Sequence, residues 1–254
     1  MSYVERISHA DDLLANPDSL VAEFSKSVSI FAAYNNRECF YSNRMRSPKA
    51  PPHIGALTRT HHVAWYLRQK PVLNVIDAPS LSAEYVDYEI APARTTGGAH
   101  FDDDGGSWRS GVFIDLILAN LDDRTPIIAE LKIANDKDPF TALLQVLAGV
   151  VHCVSAKQQE RLRICLKGGR FPATDDYPVD AYILLHRFLE TAQADLQTLE
   201  ERAKELSGRL MEYPDVTVRL RRLVCLNIEL DPVDFTISGK CRWPKVAERA
   251  SSSN

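Results

Sequence analysis

Residues 111–133, GVFIDLILANLDDRTPIIAELKI, hold two apolar runs of β type, and each carries charge where a buried strand should carry none. Asp115 interrupts the first run. Glu130 and Lys132 interrupt the second, with Leu131 between them. Withdrawing an ionised carboxylate from water is costly unless a partner compensates it. The chain must therefore fold so that these charges meet one another or a ligand. A divalent-metal site at the edge of a sheet meets that condition.

The turn residues say how the two runs face each other. Asn120, Asp122 and Asp123 are turn formers. A hairpin centred on Asp122 and Asp123 sets Asp115 opposite Glu130, where Cβ atoms lie roughly 4.5–5.5 Å apart. Two carboxylates that close repel unless they share a cation. Side chains alternate along a strand, so Glu130 and Lys132 share a face. Asp115, Glu130 and Lys132 then converge on one patch. The plainer alternative is a surface hairpin with an ordinary cross-strand charge cluster, and Glu-x-Lys by itself is common.

The patch suits phosphodiester hydrolysis. Mg2+ takes oxygen ligands and keeps several waters, so one or two carboxylates can hold it and still admit a phosphate oxygen. Such an ion polarises the phosphoryl group and lowers the pKa of a bound water. A lysine beside it can orient that water and offset developing charge.

Ile114-Asp115, the fourteen intervening residues and Glu130-Leu131-Lys132 resemble the motif of the PD-(D/E)XK nuclease superfamily. Ile114 stands where that motif has its proline. The order of elements is similar too: a strand meander, a helix candidate at 139–153, and strand-like 179–186. The resemblance implies an α/β restriction-endonuclease-like core, with a mixed central β-sheet flanked by helices. It implies Asp115, Glu130 and Lys132 as catalytic residues. Metal ligands would be Asp115, Glu130 and the Leu131 carbonyl, with Mg2+ or Mn2+ as cofactor. Family members often carry a further acidic residue near the first core strand. Glu84 or Glu89 would fill that place, and Glu84 is preferred because it sits near the strand's start. Some relatives place a glutamine on the following helix, which makes Gln145 a candidate substrate contact. Gly149 departs from the tyrosine those relatives carry four positions later. The partner implied is nucleic acid, DNA ahead of RNA, and pairing of two copies or a partner protein is in keeping with such enzymes.

Composition bounds the rest. The 254 residues are 45% hydrophobic, enough for one good core and a small accessory region. A net charge of −4 argues against a wholly basic nucleic-acid coat, since phosphate contacts supply most nonspecific affinity. Five scattered cysteines without a close pair read as reduced thiols of a cytoplasmic protein. The N-terminus lacks a signal-type apolar segment and no run is long enough to span a bilayer.

Three regions are expected: a helical N-terminal extension over 1–80, the nuclease core over 81–235, and a tail over 236–254. Residues 2–36 show helical spacing of Leu13, Leu14, Leu20, Val21, Phe24, Val28 and Phe31, with a break at Pro17. Residues 55–69 and 190–209 read as further helices, and 216–230 as a last strand. Asp102, Asp103 and Asp104 read as a solvated turn. His61 and His62 are adjacent and so point apart. Arg219 and Arg221 share a strand face. Lys157, Arg161, Arg163, Lys167 and Arg170 form a basic neighbourhood. The function expected is metal-dependent cleavage of nucleic acid in restriction, repair or defence. One alternative is a catalytically silent module that binds nucleic acid or a protein. Another is an interaction protein built on the 190–209 helix.

Overall fold

Ser2 starts the chain's first helix with a capping box. Its hydroxyl accepts from the Glu5 N–H at 3.3 Å, and the Glu5 carboxylate accepts from the Ser2 N–H at 2.6 Å. That helix, α1 (Tyr3–Ala15), gives way to α2 (Pro17–Ala33) where Pro17 permits a new helical start. The computed structural model describes residues 2–33, 48–90, 114–133, 138–154, 158–159, 162, 178–231 and 233–244. The aspartate run at 102–104 and the basic residues Lys157, Arg161, Arg163, Lys167 and Arg170 lie outside the described residues.

The remaining elements follow in order. They are α3 (Thr60–Gln69), β1 (Val72–Val75), β2 (Ala83–Ile90), β3 (Ile114–Asn120), β4 (Pro126–Lys132), α4 (Pro139–His152) and β5 (Val179–His186). Then come α5 (Phe188–Thr191), α6 (Ala194–Leu210), α7 (Pro214–Thr217), β6 (Leu220–Leu230) and β7 (Ile237–Trp243). A 3₁₀ turn at Pro79–Leu81 joins β1 to β2.

The open, restriction-endonuclease-like sheet flanked by helices is overturned. The strands pair in chain order from β1 to β7, and β7 returns to β1 in parallel, so the sheet is a closed barrel. The meander β2–β3–β4 is antiparallel, β4–β5 and β5–β6 are parallel, and β6–β7 is antiparallel. Closure comes from two strands outside the expected core. β1 belongs to the segment read as a helical extension, and β7 to the segment read as a tail. Joining them leaves no unpaired edge, which removes the hazard an open sheet carries.

Alternation along the strands separates two apolar layers. Leu73, Ala83, Leu116, Ile127, Tyr182, Leu226 and Ile237, one from each strand, belong to the layer inside the barrel, which Val63, Tyr66 and Leu67 of α3 extend. Ile117, Ile128, Ile183, Leu185 and Cys225 face outward and pack with Phe140, Leu143 and Val146 of α4 and Leu199, Ala203 and Leu206 of α6.

A polar lock closes the barrel at the β3–β4 turn. Arg221 on β6 donates two hydrogen bonds to the fully buried Asp180 of β5, at 2.8 and 2.6 Å, and pairs with Asp123 of the turn. Arg222 reaches the Ser80 carbonyl at 3.2 Å, Asn120 donates to the same carbonyl at 2.8 Å, and the Tyr182 hydroxyl donates to the Leu81 carbonyl at 3.0 Å. Arg221 therefore ties β5 and β6 to the β3–β4 turn.

Candidate active site at the strand ends

The β3–β4 pairing has the register the turn residues imply. Leu116 opposes Ala129 and Ile117 opposes Ile128, so the next position sets Asp115 opposite Glu130. Ile128, Glu130 and Lys132 share the outward face, and Ile128 is part of the outer core there. The patch lies at the carboxyl end of β4, which runs parallel to β5 and β6. Barrels and sheets with parallel strands characteristically place ligand chemistry at that end.

Each side chain is fixed by its neighbours. The partly buried Asp115 accepts a hydrogen bond from the Leu131 N–H at 2.8 Å. An extended residue directs its N–H and C=O toward the same neighbouring strand, so the Leu131 carbonyl is turned to the β3 side as well. Glu130 and Lys132 are only 5% and 3% exposed. They compensate each other, with the Lys132 ammonium 3.2 Å from the Glu130 carboxylate. Lys132 also donates to the Gln145 side-chain oxygen at 2.6 Å. Burial of two charges is tolerable only with such pairing.

Helix α4 brings Gln145 to this point. Asp138 caps its start, accepting from the Phe140 and Thr141 N–H groups at 2.9 and 3.2 Å, and Arg6 of α1 binds the same carboxylate at 2.9 Å. Gln145 thus contacts the lysine directly, a position from which it orients the ammonium.

The preferred third acid is elsewhere. Glu84 opposes Ala119 at the other end of β3 and pairs with Arg124 of the β3–β4 turn. Four strand positions separate Ala119 from Asp115, roughly 13 Å. Glu89 occupies the register position across from Asp115, between the pairs Tyr88–Leu116 and Ile90–Ile114. Its backbone, not that of Glu84, adjoins the patch.

Two carboxylates and a backbone carbonyl would make an all-oxygen donor set, the kind that Mg2+ or Mn2+ prefers. Among the described residues, no three His, Cys, Asp or Glu side chains form a metal-binding group. The rings of the histidine pair on α3 do not point apart: their centroids lie 4.6 Å from each other in an edge-on contact at 89°. Burial lowers the His62 pKa, and its Nδ1 accepts from the Thr58 N–H at 3.3 Å. No helix among the described residues is long and apolar enough to cross a membrane. Compared with protein-family models, curated proteins and solved structures, the chain finds no match.

Proposed function

We propose that this chain is a divalent-metal-dependent nuclease that hydrolyses nucleic-acid phosphodiester bonds, DNA ahead of RNA. The observation that carries the reading is the meeting of Asp115, Glu130 and Lys132 at one point, with Gln145 bonded to the lysine. The reading rests on these residues and on their resemblance to the PD-(D/E)XK motif, not on the barrel. Asp115, Glu130 and the Leu131 carbonyl would hold Mg2+ or Mn2+, which when bound polarises the phosphoryl group and acidifies a coordinated water. Lys132 holds that water by hydrogen bond and offsets charge growing on the phosphoryl oxygens. Gln145 fixes the direction of the ammonium. Glu130 holds Lys132 in place until substrate arrives. We place the activity in the cytoplasm, in keeping with five scattered cysteines that form no close pair in the sequence. A homodimer or a partner protein would supply a second active site where both strands are cut.

One observation favours a second reading, a silent module that binds nucleic acid or a protein. Glu130 and Lys132 are almost wholly buried against each other, as in a purely structural pair. Cleavage assays on plasmid, linear duplex, single-stranded DNA and RNA separate the two. With Mg2+ or Mn2+ the native chain should cut at least one substrate, EDTA should stop it, and Lys132→Ala should reduce the rate by at least 100-fold, on the order of a lost general acid–base or electrostatic group. Cutting by Lys132→Ala at the native rate would sink the assignment.

A further inference from the structure

Gly149 lies in the interior of α4, where glycine is a poorer helix former than alanine. The residue answers a packing demand. A Cβ built there would stand 2.9 Å from the Ile128 Cγ2 methyl and 3.4 Å from the Ile114 Cγ1. Both isoleucines are buried, and a β-branched side chain has little freedom at χ1. The helix therefore touches the β3–β4 pair through its backbone at this point. Ile114 adjoins Asp115, and Ile128 precedes Glu130 by two positions on the same face. Gln145 precedes Gly149 by four residues, so the two share one stripe of α4.

We propose that Gly149 is a positioning residue of the candidate site: its missing side chain sets the distance between α4 and β4 at which Gln145 holds Lys132. The distances decide the matter. Carbon atoms in contact sit about 3.5–4.0 Å apart, so an alanine would have to retreat from Ile128 by roughly 0.6–1 Å. The Lys132–Gln145 hydrogen bond is 2.6 Å long, and such bonds weaken beyond about 3.2 Å. A retreat of that size that the two side chains do not follow would lengthen it past that limit. The effect on catalysis rests on the nuclease reading, whereas the geometric link to Lys132 does not.

Two readouts test this. The first is the 15N signal of the Lys132 ammonium in the labelled full-length protein, which exchanges slowly while hydrogen-bonded. Gly149→Ala should shift and broaden it as Gln145→Ala does, and the double variant should look like either single one. Ile128→Ala, which removes the obstructing methyl, should restore the native signal to Gly149→Ala. The second is the rate of metal-dependent cleavage. A misplacement of this size costs up to about 100-fold, so kcat should fall about 10- to 100-fold in Gly149→Ala with KM little changed. An unaltered Lys132 signal in folded Gly149→Ala overturns the proposal, as does failure of Ile128→Ala to restore it. If Gly149→Ala does not fold, Gly149→Ala/Ile128→Ala is compared with Ile128→Ala alone, and a Lys132 signal that differs between these two overturns the proposal. Absence of cleavage by the native protein would remove the nuclease reading and leave the Lys132 signal to decide Gly149.

Discussion

Lys132 already engages the Glu130 carboxylate that a bound metal ion would need. Its ammonium lies 3.2 Å from the Glu130 carboxylate and is held there by Gln145. A divalent cation bound by Asp115 and Glu130 would share that carboxylate with a resident positive charge. Two unit charges about 4 Å apart interact by on the order of 4 kcal/mol at an effective dielectric of 20, and relaxation leaves a fraction of this. Lys132→Met removes the competitor and keeps the volume. Mn2+ affinity at neutral pH, read by electron paramagnetic resonance titration, should then rise about tenfold, equivalent to about 1.4 kcal/mol. Without metal the variant should be less stable, because Glu130 is left as an uncompensated buried charge. Binding that strengthens while cleavage disappears would separate Lys132 from the ligands. An affinity unchanged or lowered by Lys132→Met would show that the ammonium does not compete for the site.

At the scale of elements, the start of α4 fixes where Gln145 arrives. Asp138 is 1% exposed and accepts from two backbone N–H groups, the Thr141 hydroxyl and Arg6. Losing a helix N-cap costs roughly 0.5–2 kcal/mol, and a buried cap belongs near the upper end. Arg6 is about a third exposed, and its removal leaves the other donors in place. Urea unfolding should therefore show Asp138→Ala destabilising by about 2 kcal/mol and Arg6→Ala by less than about 1 kcal/mol. Equal losses would mean that the carboxylate depends on the arginine and not on the helix end. The elements also explain what the sequence disclosed. The β3–β4 register was legible because turn residues and opposed charges specify the same alignment, and the α1–α2 break because Pro17 marks it. β1 and β7 were not legible. VLNV is four residues long, ISGKCRW carries a glycine and two cations, and the pairing that closes the barrel joins Leu73 to Ile237, far away in the chain. The choice between Glu84 and Glu89 was hidden for a similar reason: a bulge between Tyr85 and Asp87 shifts the β2–β3 pairing by one residue.

For the whole molecule, the barrel places its two charged clusters at opposite ends of the parallel strands, and they answer to different conditions. One end collects Asp115, Glu130 and Lys132. The other is tied by Arg221 to Asp180 and Asp123. Burial pushes the Asp180 carboxyl up, against the pull of Arg221. Asp123 is more open: burial would raise it, but the hydrogen bonds from Arg221 and Thr125 outweigh that and bring it from the ordinary 3.8 to about 2. A carboxyl whose pKa is lower in the folded state stabilises that state above its unfolded pKa, and the contribution fades as pH falls through the folded value. The stability gap between the native chain and Asp123→Asn should thus be full above about pH 5, shrink from about pH 4, be mostly lost by about pH 2, and vanish near pH 1. Solvent at the turn screens the pair, so added salt should narrow the gap at neutral pH. Urea unfolding of both proteins across this range measures it directly. A gap that stays constant down to pH 2 would mean that Asp123 closes the barrel through its hydrogen bonds to the turn alone, with Arg221 tied to Asp180 and indifferent to the charge on Asp123.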